Sequence, residues 1–275
     1  MFTDTHFHLS MVKNRGIDIA QMFEEMAQKK YRFLLDIGTE FDDFEKRQKE
    51  YLNALIKTSN WGSSDGAYIE KIMNFSVGLW PSSKSINNRN EYIKIIEKTI
   101  IENRNKIIAL GECGIDRHYN LDNLGQEAEL FQMQLELAQK LSLPVIVHSR
   151  EDFEGTYDAI KNCGYNSGVI HCYSYGINEA KKFLDLGWHI SFSGAITYTK
   201  KNKLDDMYAL LRYVPIDMLL LETDAPYLAP HPFRGKVNTP VLVEYVFDFV
   251  ANARGVFVES LCETVYKNAK VCYNL

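Results

Sequence analysis

The sequence predicts an α/β protein, a (β/α)8 TIM barrel. Two observations carry that expectation. Eight short runs are almost continuously apolar, as parallel strands buried on both faces are, and longer segments of helical period lie between them. Eight such alternations within 275 residues fit one barrel, a fold that usually takes about 250 residues. A doubly wound open sheet is the competing arrangement.

The strand candidates are Phe2–His8, Phe33–Gly38, Phe75–Leu79, Lys106–Glu112, Pro144–His148, Gly168–His171, Trp188–Phe192 and Asp217–Asp224. From Gln126 to Leu141, the residues Phe131, Leu135, Ala138 and Leu141 recur three or four apart, which puts one apolar stripe of a helix toward a core. Leu261, Val265, Ala269 and Cys272 do the same near the C-terminus. Pro240 suits the first turn of a helix with Val246, Phe249 and Ala253 inward, and Gly255 can close it. Gly164 and Gly187 stand where the preceding helices should stop. The stretch Thr58–Gly66 reads as a surface loop in the second βα unit. No linker, repeat or composition break follows, so residues 1–275 are expected to form a single domain.

Composition narrows the function classes. With 46% hydrophobic residues, 24% charged residues and seven prolines, the chain is no disordered tail, collagen or disulfide scaffold. Its 31 basic and 36 acidic side chains leave a net charge of −5. That balance argues against holding nucleic acid through a broad basic field, so any phosphate-binding surface must be local. Cys113, Cys163, Cys172, Cys262 and Cys272 are scattered without a CxxC pair. They read as small hydrophobes in a reducing compartment rather than as a disulfide frame or thiolate zinc site. The opening MFTDTHFHLS has no basic or apolar leader region, and runs such as Met218–Leu221 are too short to span a bilayer. A cytoplasmic protein that meets no membrane is expected.

Chemistry on a barrel sits at the carboxyl ends of the strands, and the unusual residues fall there. His6 and His8 are two apart on the first strand, so they share a face and can chelate one ion, although HxH also occurs as a plain polar strand end. Glu112 stops the apolar run Ile107–Leu110 and would be costly to bury unless paired or ligated; an exposed loop carboxylate is the alternative. His148 and His171 each stop an apolar run, in successive strands. Asp224 closes the last strand, with Glu222 on the same face, and could instead cap a turn. Closing the barrel gathers these six, four imidazoles and two carboxylates, around one axis. Such a set suits zinc, manganese, nickel or a similar divalent ion, with a carboxylate able to bridge two.

At this point the sequence resembles the TatD family of metal-dependent hydrolases, within the amidohydrolase-like barrels. The motifs are DTHFHL at 4–9, GECGID at 111–116, PVIVHSR at 144–150, IHCYSYG at 170–176, SFSGAIT at 191–197, LLLETDAPYLAP at 219–230, FRGK at 233–236 and NAK at 268–270. The resemblance implies that His6, His8 and Asp224 hold one ion, that His148 and His171 hold a second, and that Glu112 bridges them. It implies two divalent ions, zinc, manganese, nickel or magnesium, and DNA as substrate, with nucleotides removed from 3′ ends. The chain departs from the usual pattern in places. GECGID is followed by Arg117 and His118 before Tyr119, an extra residue precedes Gly176, Thr239 stands where an acidic residue is common, and Trp80 replaces the histidine of a GxHP strand ending.

Asp224 is the expected general base and, with Glu112, the expected catalytic pair; Glu222 is expected to orient a ligand or meet the substrate. Arg150, Arg234 and Lys236 are the expected phosphate contacts. Tyr173 is expected to meet a base, with Tyr119 and Tyr227 as further stacking candidates. Lys200, Lys201 and Lys203 read as a solvated face. The rival functions are a small-molecule amide, lactone or ester hydrolase with the same ions, and a non-catalytic metal-binding barrel.

Overall fold

The structure, a computed structural model, describes residues 1–59, 64–119 and 124–275. Each of the eight apolar runs forms a strand: β1 Thr3–Phe7, β2 Phe33–Asp36, β3 Met73–Val77, β4 Ile107–Asp116, β5 Val145–Arg150, β6 Gly168–Ile170, β7 His189–Phe192 and β8 Leu219–Leu221. They are neighbours in chain order in one eight-stranded sheet, with parallel pairing and helices between them. This is the (β/α)8 class. A doubly wound sheet would reverse its strand order at a switch point, and this one does not.

The chain divides into two compact units, residues 1–36, 45–74 and 191–270 forming one and residues 37–44, 75–190 and 271–275 the other. In the first, the ends of β1 and β8 are joined. Thr5 Oγ1 donates to Leu221 O at 3.1 Å, Asp224 N to His6 O at 2.9 Å and His8 N to Ala225 O at 2.8 Å. Asp36, at the end of β2, accepts from Leu9 N at 2.8 Å and from Arg47 at 2.8 Å. That buried ion pair fixes the turn by which the chain leaves β1 for the helix Leu9–Asn14.

In the second unit, β4 and β5 share register from Leu110 opposite Val145 to Asp116 opposite Arg150. β4 therefore runs four residues beyond the expected end at Glu112. Gly114 explains the closeness of the two strands. Its φ is +145°, and a Cβ there would stand 1.9 Å from His148 O, so only glycine lets the backbones approach in this way.

The helix Leu124–Leu141 buries Leu130, Phe131, Leu135 and Ala138 as its period requires. Its buried Gln134 grips the chain after β3, accepting from Leu79 N at 2.8 Å and donating to Leu79 O at 3.0 Å. In the helix Val243–Arg254, Val246 and Ala253 are buried with Phe247 and Val250. Phe249, expected inward, is half-buried against the ring of Tyr208 at 5.7 Å. Pro240 lies in a separate 3-10 turn, Pro240–Leu242, just ahead of that helix. Gly164 and Gly255 close their helices in the left-handed conformation.

The expected loop at Thr58–Gly66 is narrower at both ends. Thr58 is buried and helical, donating to Ala54 O at 2.9 Å, and a second helix begins at Asp65. Residues 60–63 of that stretch lie outside the described residues. The five cysteines form no disulfide. Among the described residues, no helix is long and apolar enough to cross a membrane.

Candidate metal centre

In the first unit, β1 and the segment after β8 bring His6, His8 and Asp224 together. The Nε2 atoms of His6 and His8 are 3.3 Å apart, and they lie 3.7 Å and 3.5 Å from Asp224 Oδ1. Ligands held about 2.0–2.1 Å from a tetrahedral zinc ion stand about 3.3–3.4 Å from one another. The three side chains thus present their donor atoms at ligand spacing. His6 and His8 are buried, while the Asp224 side chain keeps 14% exposure. Asp224 adopts φ +55°, a left-handed conformation costing an L-residue roughly 1–2 kcal/mol. Its amide bond to His6 O and its carbonyl's acceptance from Tyr227 N, both 2.9 Å, hold it there.

Asp4 ties together the two segments that carry these side chains. Its Oδ1 accepts from His6 N at 3.2 Å and Thr223 N at 3.0 Å, and its Oδ2 accepts from Thr223 Oγ1 at 2.6 Å. Burial outweighs those bonds and pushes the Asp4 carboxyl up to about 8. Asn238 holds the same segment by donating to Thr223 O at 2.9 Å and Tyr227 O at 2.6 Å. Glu222 is buried and accepts from Ser191 Oγ at 2.6 Å.

In the second unit, β4, β5 and the residue after β6 assemble Glu112, His148 and His171. Glu112 Oε1 lies 3.0 Å from His148 Nδ1 and 3.1 Å from His171 Nε2, and those nitrogens are 3.4 Å apart. This too is ligand spacing. The far nitrogen of His148, Nε2, meets Asp116 Oδ2 at 2.8 Å. A carboxylate placed behind a ligating imidazole fixes its tautomer and aims the other nitrogen.

Asp116 is itself pinned. Its Oδ1 accepts from His118 N at 2.9 Å and Tyr119 N at 3.1 Å, and its own amide donates to Glu127 Oε1 at 2.8 Å. Arg117 pairs with Glu127 and donates to Asp152 Oδ2 at 2.7 Å. Burial alone would raise Asp116, but the adjoining His148 prevails and holds its carboxyl below the usual range. Burial opposes the charged form of His148, yet its bonds to Asp116 and Glu112 lift the imidazole above its ordinary value. Asp116 and Asp4 escaped the sequence reading as site residues. Both stand within the motifs, Asp116 after Ile115 and Asp4 two residues ahead of His6.

The remaining expected residues are distributed unevenly. Arg150, at the end of β5, sets its guanidinium 5.5 Å over the exposed ring of Tyr119. Tyr173 is 5% exposed and donates its hydroxyl to Gly176 O at 2.6 Å, which places its ring in the wall of its own turn. Arg234 and Lys236 are exposed, lying over the rings of Tyr198 and Phe233 at 4.7 Å and 5.9 Å. Tyr227 is exposed, its ring 6.4 Å from that of His8. Lys200, Lys201 and Lys203 are exposed around a 3-10 turn.

A (β/α)8 fold with histidine–carboxylate groups at its strand ends is that of the metal-dependent hydrolases. The family model described as "TatD related DNase" matches residues 3–274, and the chain belongs to that TatD family. The chain is 31% identical over 272 residues to the uncharacterized metal-dependent hydrolase YcfH of Escherichia coli, covering 96% of this chain and 92% of that one. The crystal structure of the Escherichia coli TatD homologue YjjV superposes with TM-score 0.83 at 25% identity, covering 100% of this chain and 98% of that one. An organophosphorus hydrolase variant from Deinococcus radiodurans shares the fold, with TM-score 0.71 at 12% identity and coverage of 99% and 92%.

Proposed function

We propose that this metal-dependent hydrolase is a deoxyribonuclease that hydrolyses phosphodiester bonds at DNA 3′ ends. The observation that carries the reading is the ligand spacing in both histidine–carboxylate groups, His6–His8–Asp224 and Glu112–His148–His171. Each trio fits one divalent ion, two in all, of zinc, manganese, nickel or magnesium. Bound there, such ions acidify a water, polarise the phosphoryl oxygen and offset the charge that develops in displacement.

The chain's own residues do the rest. Asp224, the ligand carboxylate that keeps contact with solvent, takes the proton of the attacking water. Asp116 holds His148 Nε2 so that Nδ1 faces Glu112, where the pair would hold a divalent ion. Glu222, braced by Ser191, orients the neighbouring Asp224 segment or meets the substrate. Arg150, Arg234 and Lys236 supply the local cations that an acidic protein needs to hold phosphate. The family's description as a DNase supports DNA as the substrate, and a cytoplasmic setting suits it.

The net charge of −5 favours a second reading, hydrolysis of an uncharged small ester, lactone or amide. Salt separates the two. Three phosphate contacts on a single strand, each worth about −0.7 in the log–log salt slope, raise KM for DNA roughly 20-fold between 50 and 200 mM salt. A KM that stays flat over that range removes the phosphate contacts and favours the uncharged substrate.

A further inference from the structure

Trp80 is one of the chain's departures from the family pattern, and it stands beside the second histidine–carboxylate group. Its indole is 6.1 Å from the ring of His148 at 69°, and 6.0 Å from the ring of Tyr119 at 67°. Arg150 lies 5.5 Å over the other partner in that corner, Tyr119. Burial does not account for the arrangement. Trp80 is half-buried and Tyr119 is 65% exposed.

The corner is nonetheless firmly mounted. Trp80 N donates to Thr39 O at 3.0 Å, Trp80 O accepts from Ser82 N at 2.7 Å, and Gln134 clamps Leu79 on both backbone groups. Asp116, which orients His148, also accepts from Tyr119 N. Tyr119 and the His148 imidazole therefore share one support, Asp116, while Trp80 is held separately.

We propose that Trp80, Tyr119 and Arg150 form a nucleobase subsite for the nucleotide at the reacting end. Two rings at 67° do not stack on each other; they offer a planar ligand one face to lie on and one edge to meet. Stacking of this kind tolerates every base, because each has a π face. The guanidinium of Arg150 adds a forked donor for the attached phosphate. A histidine at position 80 would present a smaller ring, so the indole commits this chain to substrates carrying an aromatic ring beside the phosphate. The identity of that ring as a nucleobase rests on the deoxyribonuclease reading.

The test compares oligonucleotides ending in a normal 3′ nucleotide or in an abasic residue, using metal-loaded wild type, Trp80→Ala and Trp80→Phe. Wild type is expected to prefer the base-bearing end by roughly 10-fold in kcat/KM, as loss of one aromatic stack would give. Trp80→Ala should bring that ratio close to unity, and Trp80→Phe should retain most of it, with unchanged melting temperatures. DNA cleavage with no base preference, or a preference that Trp80→Ala leaves intact, overturns the subsite and leaves the nuclease standing.

If no DNA is cut, the nuclease reading falls, and binding decides the subsite. Deoxyadenosine 5′-monophosphate should then quench tryptophan fluorescence at lower concentration than it binds Trp80→Ala, and deoxyribose 5-phosphate should show no such difference. Equal binding of both probes to wild type and variant overturns it.

Discussion

His148 shows how a single side chain is oriented for the role of ligand proposed for it. Its Nδ1 faces Glu112 at 3.0 Å because Asp116 holds Nε2 at 2.8 Å. Removing the support should cost metal without removing a ligand. Asp116→Ala is expected to weaken the ion at Glu112–His148–His171 by roughly 10- to 100-fold and to leave the ion at His6–His8–Asp224 unchanged, as read by titration against a chelating indicator. Equal weakening of both would deny Asp116 its local role. The histidines and carboxylates that stop apolar runs were legible in the sequence, since a polar group is costly there unless it is used. The supporting carboxylates were less so. Asp116 and Asp4 are recognisable only from partners distant in the sequence, His148 of β5 and Thr223 after β8.

At the scale of the elements, the strands were legible because burial on both faces demands continuous apolar runs. Their ends were not, because pairing with a neighbour sets them. β4 extends to Asp116 because β5 continues beside it to Arg150. Gly114 makes that pairing possible and also sits at φ +145°, so Gly114→Ala should cost about 2–4 kcal/mol, overpacking of about 1–3 kcal/mol added to about 1 kcal/mol of backbone strain. Gly16→Ala, at φ +87° with no neighbour within 4 Å, should cost only the backbone strain, about 1 kcal/mol. Thermal melts of the two variants compare them directly, and equal shifts would refute the close-approach account.

The β1–β8 closure carries a pH dependence of its own. The Asp4 carboxyl is raised from 3.8 to about 8 in the folded chain. A raised folded value makes its contribution complete below 3.8 and progressively lost as the pH climbs toward about 8. Asp4→Asn cannot titrate, so its stability in the metal-free protein should fall less between pH 5 and pH 8 than that of wild type. Parallel urea-unfolding profiles for the two proteins would contradict the shift.

At the scale of the whole molecule, fold and charge make different statements. The (β/α)8 class was readable from alternation alone, and the strand order from β1 to β8 agrees with it. Fold hosts many chemistries, however, and function follows from the site. An overall charge of −5 is no nucleic-acid field, so the proposed nuclease activity rests on local cations rather than on the charge of the whole molecule.

The central claim is phosphodiester hydrolysis that needs both bound metal and Asp224. The most direct measurement is turnover of DNA single strands, labelled so that every product is seen, by the metal-analysed protein, with and without chelator and beside Asp224→Asn. Stepwise shortening from the 3′ end is predicted, abolished by chelator and reduced roughly 100- to 10,000-fold in Asp224→Asn, the span of a lost general base, with the variant's melting temperature preserved. DNA left intact by fully metal-loaded wild type, or cleavage that survives chelator or the Asp224→Asn change, would contradict the account.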